Sequence, residues 1–255
     1  MSKSLRLRRL FGRDGRLVLV AMDHAAFMGP ARGLDLQTMA QVVNAGVDAV
    51  MTTFGTARRA SETPGVLGQA ALVLSLDIHA PQPEEQVLNA LRLGADSVKV
   101  LAASGDRAQW TALQRYALVC ERWGIPFQAE VIPGGFDQPD KHTPDNIASI
   151  CRQAAEMGAD YVKTLYTGDP ESMRRVVDGA TVPIIILGGD RADEAGLLRQ
   201  VRDALQAGVA GIAFGRNIWS HAEPAAITAR LVELIHPVHS ADAAASLHTL
   251  SIAPD

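Results

Sequence analysis

Four lysines stand among the 24 basic residues of this chain: Lys3, Lys99, Lys141 and Lys163. Two of them interrupt apolar runs, DSVKVL (96–101) and DYVKTL (160–165). Acids close other runs. Asp23 follows LVLVAM, Asp77 follows ALVLSL, and Glu130 ends PFQAE. A charge buried without a partner is costly, so these lysines and acids are expected to meet. An amine that is desolvated beside a second cation gives up its proton more easily. Once neutral, it can attack a ketone and form a Schiff base. The protonated imine then draws electrons from the adjacent bond, and nearby carboxylates move the protons. This is class I aldolase chemistry. It requires no metal and no cofactor. Either Lys163 or Lys99 could make the attack, the other serving as its tuning neighbour or a substrate anchor. The competing reading is an ion-pair network that only fills a core.

Such a meeting place requires strands that converge. Eight short apolar runs recur along the chain, at 17–22, 47–52, 71–76, 96–101, 126–131, 160–165, 183–188 and 210–215. Near-continuous Val, Ile and Leu runs mark buried parallel strands. Between them lie amphipathic stretches such as PQPEEQVLNALR, and Thr143-Pro144 reads as a helix start. Several of these stretches end at a glycine (Gly46, Gly94, Gly124, Gly158, Gly208) just before the next run. The pattern predicts an α/β fold: a single (β/α)8 TIM barrel over 1–236, with a tail at 237–255. An open doubly wound sheet would need an early Gly-rich fingerprint, which is missing. Residues 53–70 read as a loop with a short helix. The basic start, MSKSLRLRRLFGRDGR, reads as a solvated segment covering the barrel bottom. Strand lysines must then face the lumen near the C-terminal mouth, where sites of this fold lie.

The ends of the last two runs supply an anion site. LGGDR contributes Gly188, Gly189 and Arg191, and FGRN contributes Gly215, Arg216 and Asn217. Loops after strands 7 and 8 of such barrels often bind phosphate, with backbone N–H groups turned to the anion. His24 orients Asp23, contacts substrate, or is a loop histidine satisfied by backbone. Asp77 lines the mouth, but Asp77 and His79 have no third ligand at metal spacing, so no metal is expected. Tyr166 is a reserve proton donor or a packing residue, and Trp219 belongs to the core or an interface.

The whole chain agrees. It has 255 residues, 47% hydrophobic and 20% charged, with a formal net charge of −4. Nothing strongly basic argues for nucleic acid. No apolar run has the length of a membrane span. Cys120 and Cys151 suggest no disulfide framework, which fits a reducing cytoplasm.

The motifs AMDHAAFMGP (21–30), GADYVKTLYTGD (158–169), ILGGDR (186–191) and GIAFGRNIW (211–219) resemble those of the archaeal-type class I fructose-bisphosphate aldolases. Their superfamily includes deoxyribose-phosphate and tagatose-bisphosphate aldolases, the autoinducer-2 thiolase and the aminodideoxyheptulosonate synthases. The resemblance covers most of 17–220. It implies that Lys163 is the Schiff-base lysine and that Asp23 assists proton transfer. It also implies that Gly188, Gly189, Gly215, Arg216 and Asn217 bind the phosphate of a ketose-like substrate, and that the chain forms a ring-like homo-oligomer. One position departs. The family carries W-x-Y-P-R-G after strand 5, with Tyr as acid/base. This chain has EVIPGG, with Glu130 at the Trp and Ile132 at the Tyr. Ile132 cannot move a proton. Either Glu130, Asp23 or Tyr166 takes that work, or the reaction differs: an acyl-transferring thiolase, or a phosphate-binding barrel that isomerises or is silent.

Overall fold

In the computed structural model, residues 1–103, 106–189 and 193–237 are described. The eight apolar runs become β1 (Leu17–Ala21), β2 (Ala49–Thr52), β3 (Ala71–Leu76), β4 (Ser97–Ala103), β5 (Phe127–Ile132), β6 (Tyr161–Thr164), β7 (Ile184–Leu187) and β8 (Gly211–Phe214). All pair in parallel and in sequence order, and β8 closes on β1. The (β/α)8 barrel expected from the runs is the observed fold.

The helices are α1 (Lys3–Phe11), α2 (Ala25–Met28), α3 (Leu36–Asn44), α4 (Phe54–Glu62), α5 (Pro83–Arg92), α6 (Arg107–Trp123), α7 (Pro144–Glu156), α8 (Pro170–Gly179), α9 (Glu194–Gln206), α10 (Arg216–Trp219) and α11 (Pro224–Ile235). Thr143 caps α7 by accepting from the Asn146 amide, with Pro144 following it, as its sequence predicts. Alternate strand residues face out or in. Outward side chains such as Val18, Val50, Val98 and Val162 join the helices in one large core. Inward ones such as Leu19, Met51, Val73 and Ile185 fill the lumen.

The bottom of the barrel is more than a solvated cover. Leu7, Leu10 and Phe11 lie on one stripe of α1 and pack into the lumen cluster. Phe11 meets Tyr161 edge-on at 5.3 Å. The remaining face of α1 is basic and serves the strand starts. Asp48, Asp96 and Asp160, each two residues past a helix-ending glycine, accept from Val18 N, Leu72 N and Phe127 N at 2.6, 3.1 and 2.8 Å. His236 after α11, and Arg9 and Lys3 of α1, answer those acids at 2.9, 3.2 and 3.0 Å. The repeated Gly-x-Asp thus fixes strand starts, and α1 neutralises two of the three acids. Gly211 is required for closure, since a Cβ there would run into the Leu17 backbone.

Among the described residues no helix is long and apolar enough to cross a membrane. Cys120 and Cys151 are buried free thiols. Of the tail expected at 237–255 only Pro237 is among the described residues, and Arg191 lies outside them.

Candidate active site

Period-two alternation carries four charged groups into the upper lumen. Lys99 of β4 lies two residues above Ser97, Glu130 of β5 two above Gln128, and Lys163 of β6 two above the lumen-facing Tyr161. Asp23 lies just past β1. The β1 ladder extends one step, with Met22 N donating to Met51 O at 2.7 Å. The Trp219 indole donates to Ala21 O at 3.1 Å. The peptide that aims Asp23 is therefore held from both sides.

The four charges alternate in sign along a chain. Lys99 Nζ is 2.8 Å from Asp23 Oδ2 and 3.0 Å from Glu130 Oε2. Glu130 Oε1 is 2.7 Å from Lys163 Nζ. All four side chains are at least nine-tenths buried. Burial works against each charge, so the direction of each shift tells which force wins. For Asp23 the Lys99 and Lys163 charges outweigh burial and hold its pKa at about 2. For Glu130 the same two lysines prevail over burial and lower the pKa. For Lys99, Asp23 and Glu130 overcome burial and raise it. Lys99 is thus a fixed cation between two anions, while Lys163 touches one carboxylate.

Asp23, Lys99, Glu130 and Lys163 come together. Asp77, expected with them, does not join them. The chain turns after Leu76, Asp77 is exposed, and its carboxylate accepts from His79 N at 2.9 Å. Its carbonyl takes the Tyr116 hydroxyl at 2.7 Å. Asp77 is a fastening of the β3–α5 turn. His24 opens α2 and leans on Trp219, the ring centroids 5.4 Å apart.

Tyr166 packs against the outer core, away from the lumen. Burial pushes its pKa up to about 12, with Asp203 of α9 and Asp169 at the start of α8 adding to the rise. Of its two expected roles, the packing one is what the structure shows. Ile132 is fully buried at the end of β5.

On the β7–β8 side of the same rim, Asn217 donates to Gly188 O at 2.9 Å and Arg216 to Gly189 O at 3.5 Å. These bonds join the β7 and β8 ends. Gly189 has a positive φ of 60°. A Cβ on Gly215 would sit 3.0 Å from Ala21 O. Among the described residues no group of three or more His, Cys, Asp or Glu could hold a metal ion.

Sequence reasoning missed Phe27, Ser75 and Gln128. The Phe27 ring lies 5.0 Å from Lys99 Nζ, a cation–π contact, although 55% of the residue is exposed. It lies at the Lys99 end of the ion-pair chain. No periodic signal marks Phe27. Ser75 and Gln128 did carry one, because each is a polar residue inside an apolar run.

A family model described as DeoC/LacD family aldolase matches residues 17–221. A Streptomyces griseus protein named 2-amino-4,5-dihydroxy-6-oxo-7-(phosphonooxy)heptanoate synthase is 35% identical over 251 residues, covering 92% of this chain and 90% of its own. A Halobacterium salinarum protein named 2-amino-3,7-dideoxy-D-threo-hept-6-ulosonate synthase is 36% identical over 244 residues, with 92% and 91% covered. Among solved structures, an archaeal fructose-1,6-bisphosphate aldolase with its catalytic Lys bound to the carbinolamine intermediate is similar at a TM-score of 0.80. It is 26% identical, with 92% of this chain and 99% of that chain covered.

Proposed function

The chain belongs to the DeoC/LacD family of aldolases, and from that membership we propose that it is a Schiff-base synthase joining a phosphorylated ketone to an aldehyde. Lys163 is the imine-forming residue. The observation that carries the assignment is the unequal pairing of the two lysines. Lys99 sits between two carboxylates at 2.8 and 3.0 Å and is held charged. Lys163 is ion-paired with one carboxylate, Glu130 at 2.7 Å, although its charge also reaches Asp23, and Glu130 is the acid positioned to exchange a proton with it.

The reaction then runs with each residue in a named place. Lys163 passes a proton to Glu130, and the neutral amine attacks the ketone carbon. Glu130 returns the proton to the carbinolamine oxygen, which leaves as water. The cationic imine acidifies the neighbouring carbon, and Glu130 removes that proton to give the enamine. The enamine carbon attacks the aldehyde, the new alkoxide takes a proton, and water releases the product from Lys163. Lys99 holds Glu130 in register and keeps positive charge beside the developing alkoxide. Asp23 holds Lys99. Glu130 takes the place of the phenol that Ile132 lacks. Gly188, Gly189, Gly215, Arg216 and Asn217 receive the phosphate, with His24 at the substrate.

The names of the relatives support synthesis over cleavage. The Streptomyces product name describes a ketone at C6, hydroxyls at C4 and C5 and a phosphate on C7. An aldol disconnection between C4 and C5 of that skeleton gives a hydroxyketone phosphate and an amino-acid aldehyde. We extend the donor class, a short phosphorylated ketone, to this chain. Exposed Leu118 and Trp123 on α6 support self-assembly, which light scattering in solution tests.

Borohydride reduction with dihydroxyacetone phosphate tests the imine. The expected result is a reduced adduct mapped to Lys163 and lost in Lys163→Ala. An adduct on Lys99 reassigns the nucleophile. No adduct with any short ketone phosphate removes the Schiff-base reading and leaves a phosphate-binding barrel.

A further inference from the structure

The lumen is not uniform. Its lining from β7, β8, β1 and β2 is apolar, with Ile185, Ala213, Leu19 and Met51. Its lining from β4 to β6 carries polar groups, Ser97, Gln128 and Tyr161, one inward step below Lys99, Glu130 and Lys163. Gln128 stands at the centre of that polar side. It pairs in register with Lys99 on β4 and Tyr161 on β6, one inward step beneath Glu130. Gln128 is fully buried. Neither its amide nitrogen nor its amide oxygen has a protein hydrogen-bond partner.

The neighbours do not supply one. The Tyr161 hydroxyl donates to Ser97 Oγ at 2.9 Å, and Ser97 Oγ donates to Pro126 O at 2.9 Å. Ser75, beside Lys99 in register, is close enough to favour the Asp23 anion but completes no hydrogen bond. A buried amide with both ends unpaired costs about 1–3 kcal/mol per group. Apolar residues of similar size would fill a barrel floor without that cost. Buried polar groups of this kind characteristically hold ordered water.

We propose that Gln128 holds a bound water beneath Glu130, and that this is the water exchanged when the imine on Lys163 forms and is hydrolysed. This extends the Schiff-base reading above and depends on it for the water's role, though not for the water's presence. The balance is simple. In the forward direction the carbinolamine C–O bond breaks, the oxygen takes a proton from Glu130, and one water leaves into the polar floor. In the return direction that water adds to the imine carbon and gives a proton to Glu130. The floor lies within the lumen, one inward step below Glu130. Gln128 acts through the water and is a positioning residue.

The test uses the full chain and Gln128→Met, a swap of similar volume. Wild type incubated with dihydroxyacetone phosphate in ¹⁸O water should label the ketone oxygen faster than enzyme-free hydration does, through reversible imine formation. In Gln128→Met this exchange should slow by about tenfold, the loss of one well-made hydrogen bond, while borohydride still traps Lys163. The Tm of the variant should not rise, because the wild-type amide is satisfied by water. Unchanged ¹⁸O exchange overturns the catalytic role. A raised Tm overturns the site itself, since it would mean that an orphan amide had been removed. Should the variant not fold, a wild-type crystal structure decides, and density lacking a water within hydrogen-bond reach of the Gln128 amide rejects the proposal. Absence of any borohydride adduct in wild type rejects the Schiff-base reading instead, and with it the water's catalytic role. The water's presence is then judged on that density alone.

Discussion

Glu130 and Lys163 are direct neighbours in the β5–β6 ladder, and their side chains close the same step with Oε1 2.7 Å from Nζ. The strand pairing that builds the barrel therefore also builds the acid–amine pair. A shift of either strand by one residue would turn one partner to the outer face.

Glu130→Gln keeps the shape of the side chain and removes its ability to carry a proton. Turnover should fall by roughly 10²–10⁴-fold, the usual worth of a positioned general acid/base. Lys163 should still be trapped by borohydride after long incubation. Steady-state kinetics beside timed trapping separates the two effects. Retained turnover would move the proton work to Asp23.

Lys99→Met removes the cation from between two buried acids. Stripping one partner from a buried ion-paired group costs about 3–5 kcal/mol. Chemical denaturation should show a loss of that order, read as a lower midpoint. Asp23→Asn in the Lys99→Met background should recover part of it, because one of the two stranded anions is gone. A double variant no more stable than Lys99→Met would mean that the loss came from packing alone.

Acid should weaken the barrel mouth by titrating the same chain. The folded-state pKa of Asp23 is lowered from 3.8 to about 2. A lowered carboxylate contributes stability above its unfolded pKa and loses it as pH falls through the folded one. The Asp23 contribution should therefore be complete above about pH 4 and decline towards pH 2. Thermal melts of wild type and Asp23→Asn across that range should converge at the acid end.

His236 should act in the opposite sense at the barrel bottom. Burial disfavours its charged ring, but Asp48 and Asp14, at 2.9 and 2.6 Å, outweigh that and raise its pKa. A raised histidine contributes fully below its unfolded pKa of about 6.5 and loses that contribution as pH rises through the folded value. The Tm gap between wild type and His236→Asn should be largest in mildly acidic buffer and shrink on the alkaline side. A gap independent of pH would leave His236 a packing residue only.

Much of this was legible in the chain itself. Buried parallel strands leave continuous apolar runs, so the eight strands and their order could be counted, and a charge inside such a run can face only the lumen. That logic found Lys99, Lys163, Glu130 and Asp23. It misplaced Asp77, because the chain turns at Leu76 and period two no longer governs the next side chain. It left Tyr166 open between two roles. It read α1 as a cover, although Leu7, Leu10 and Phe11 already lay on one stripe.

The amino-acid order determined which groups must be inside, since burial and alternation are local properties of each strand. Tertiary structure decided their distances and partners. Barrel closure brings β1 beside β8 and carries Asp23 across the lumen to Lys99. The stagger between neighbouring strands then gives Lys99 two carboxylates and Lys163 one. That inequality separates a fixed cation from a candidate nucleophile, and it arises from contacts between residues far apart in the chain, which no run of residues read alone contains.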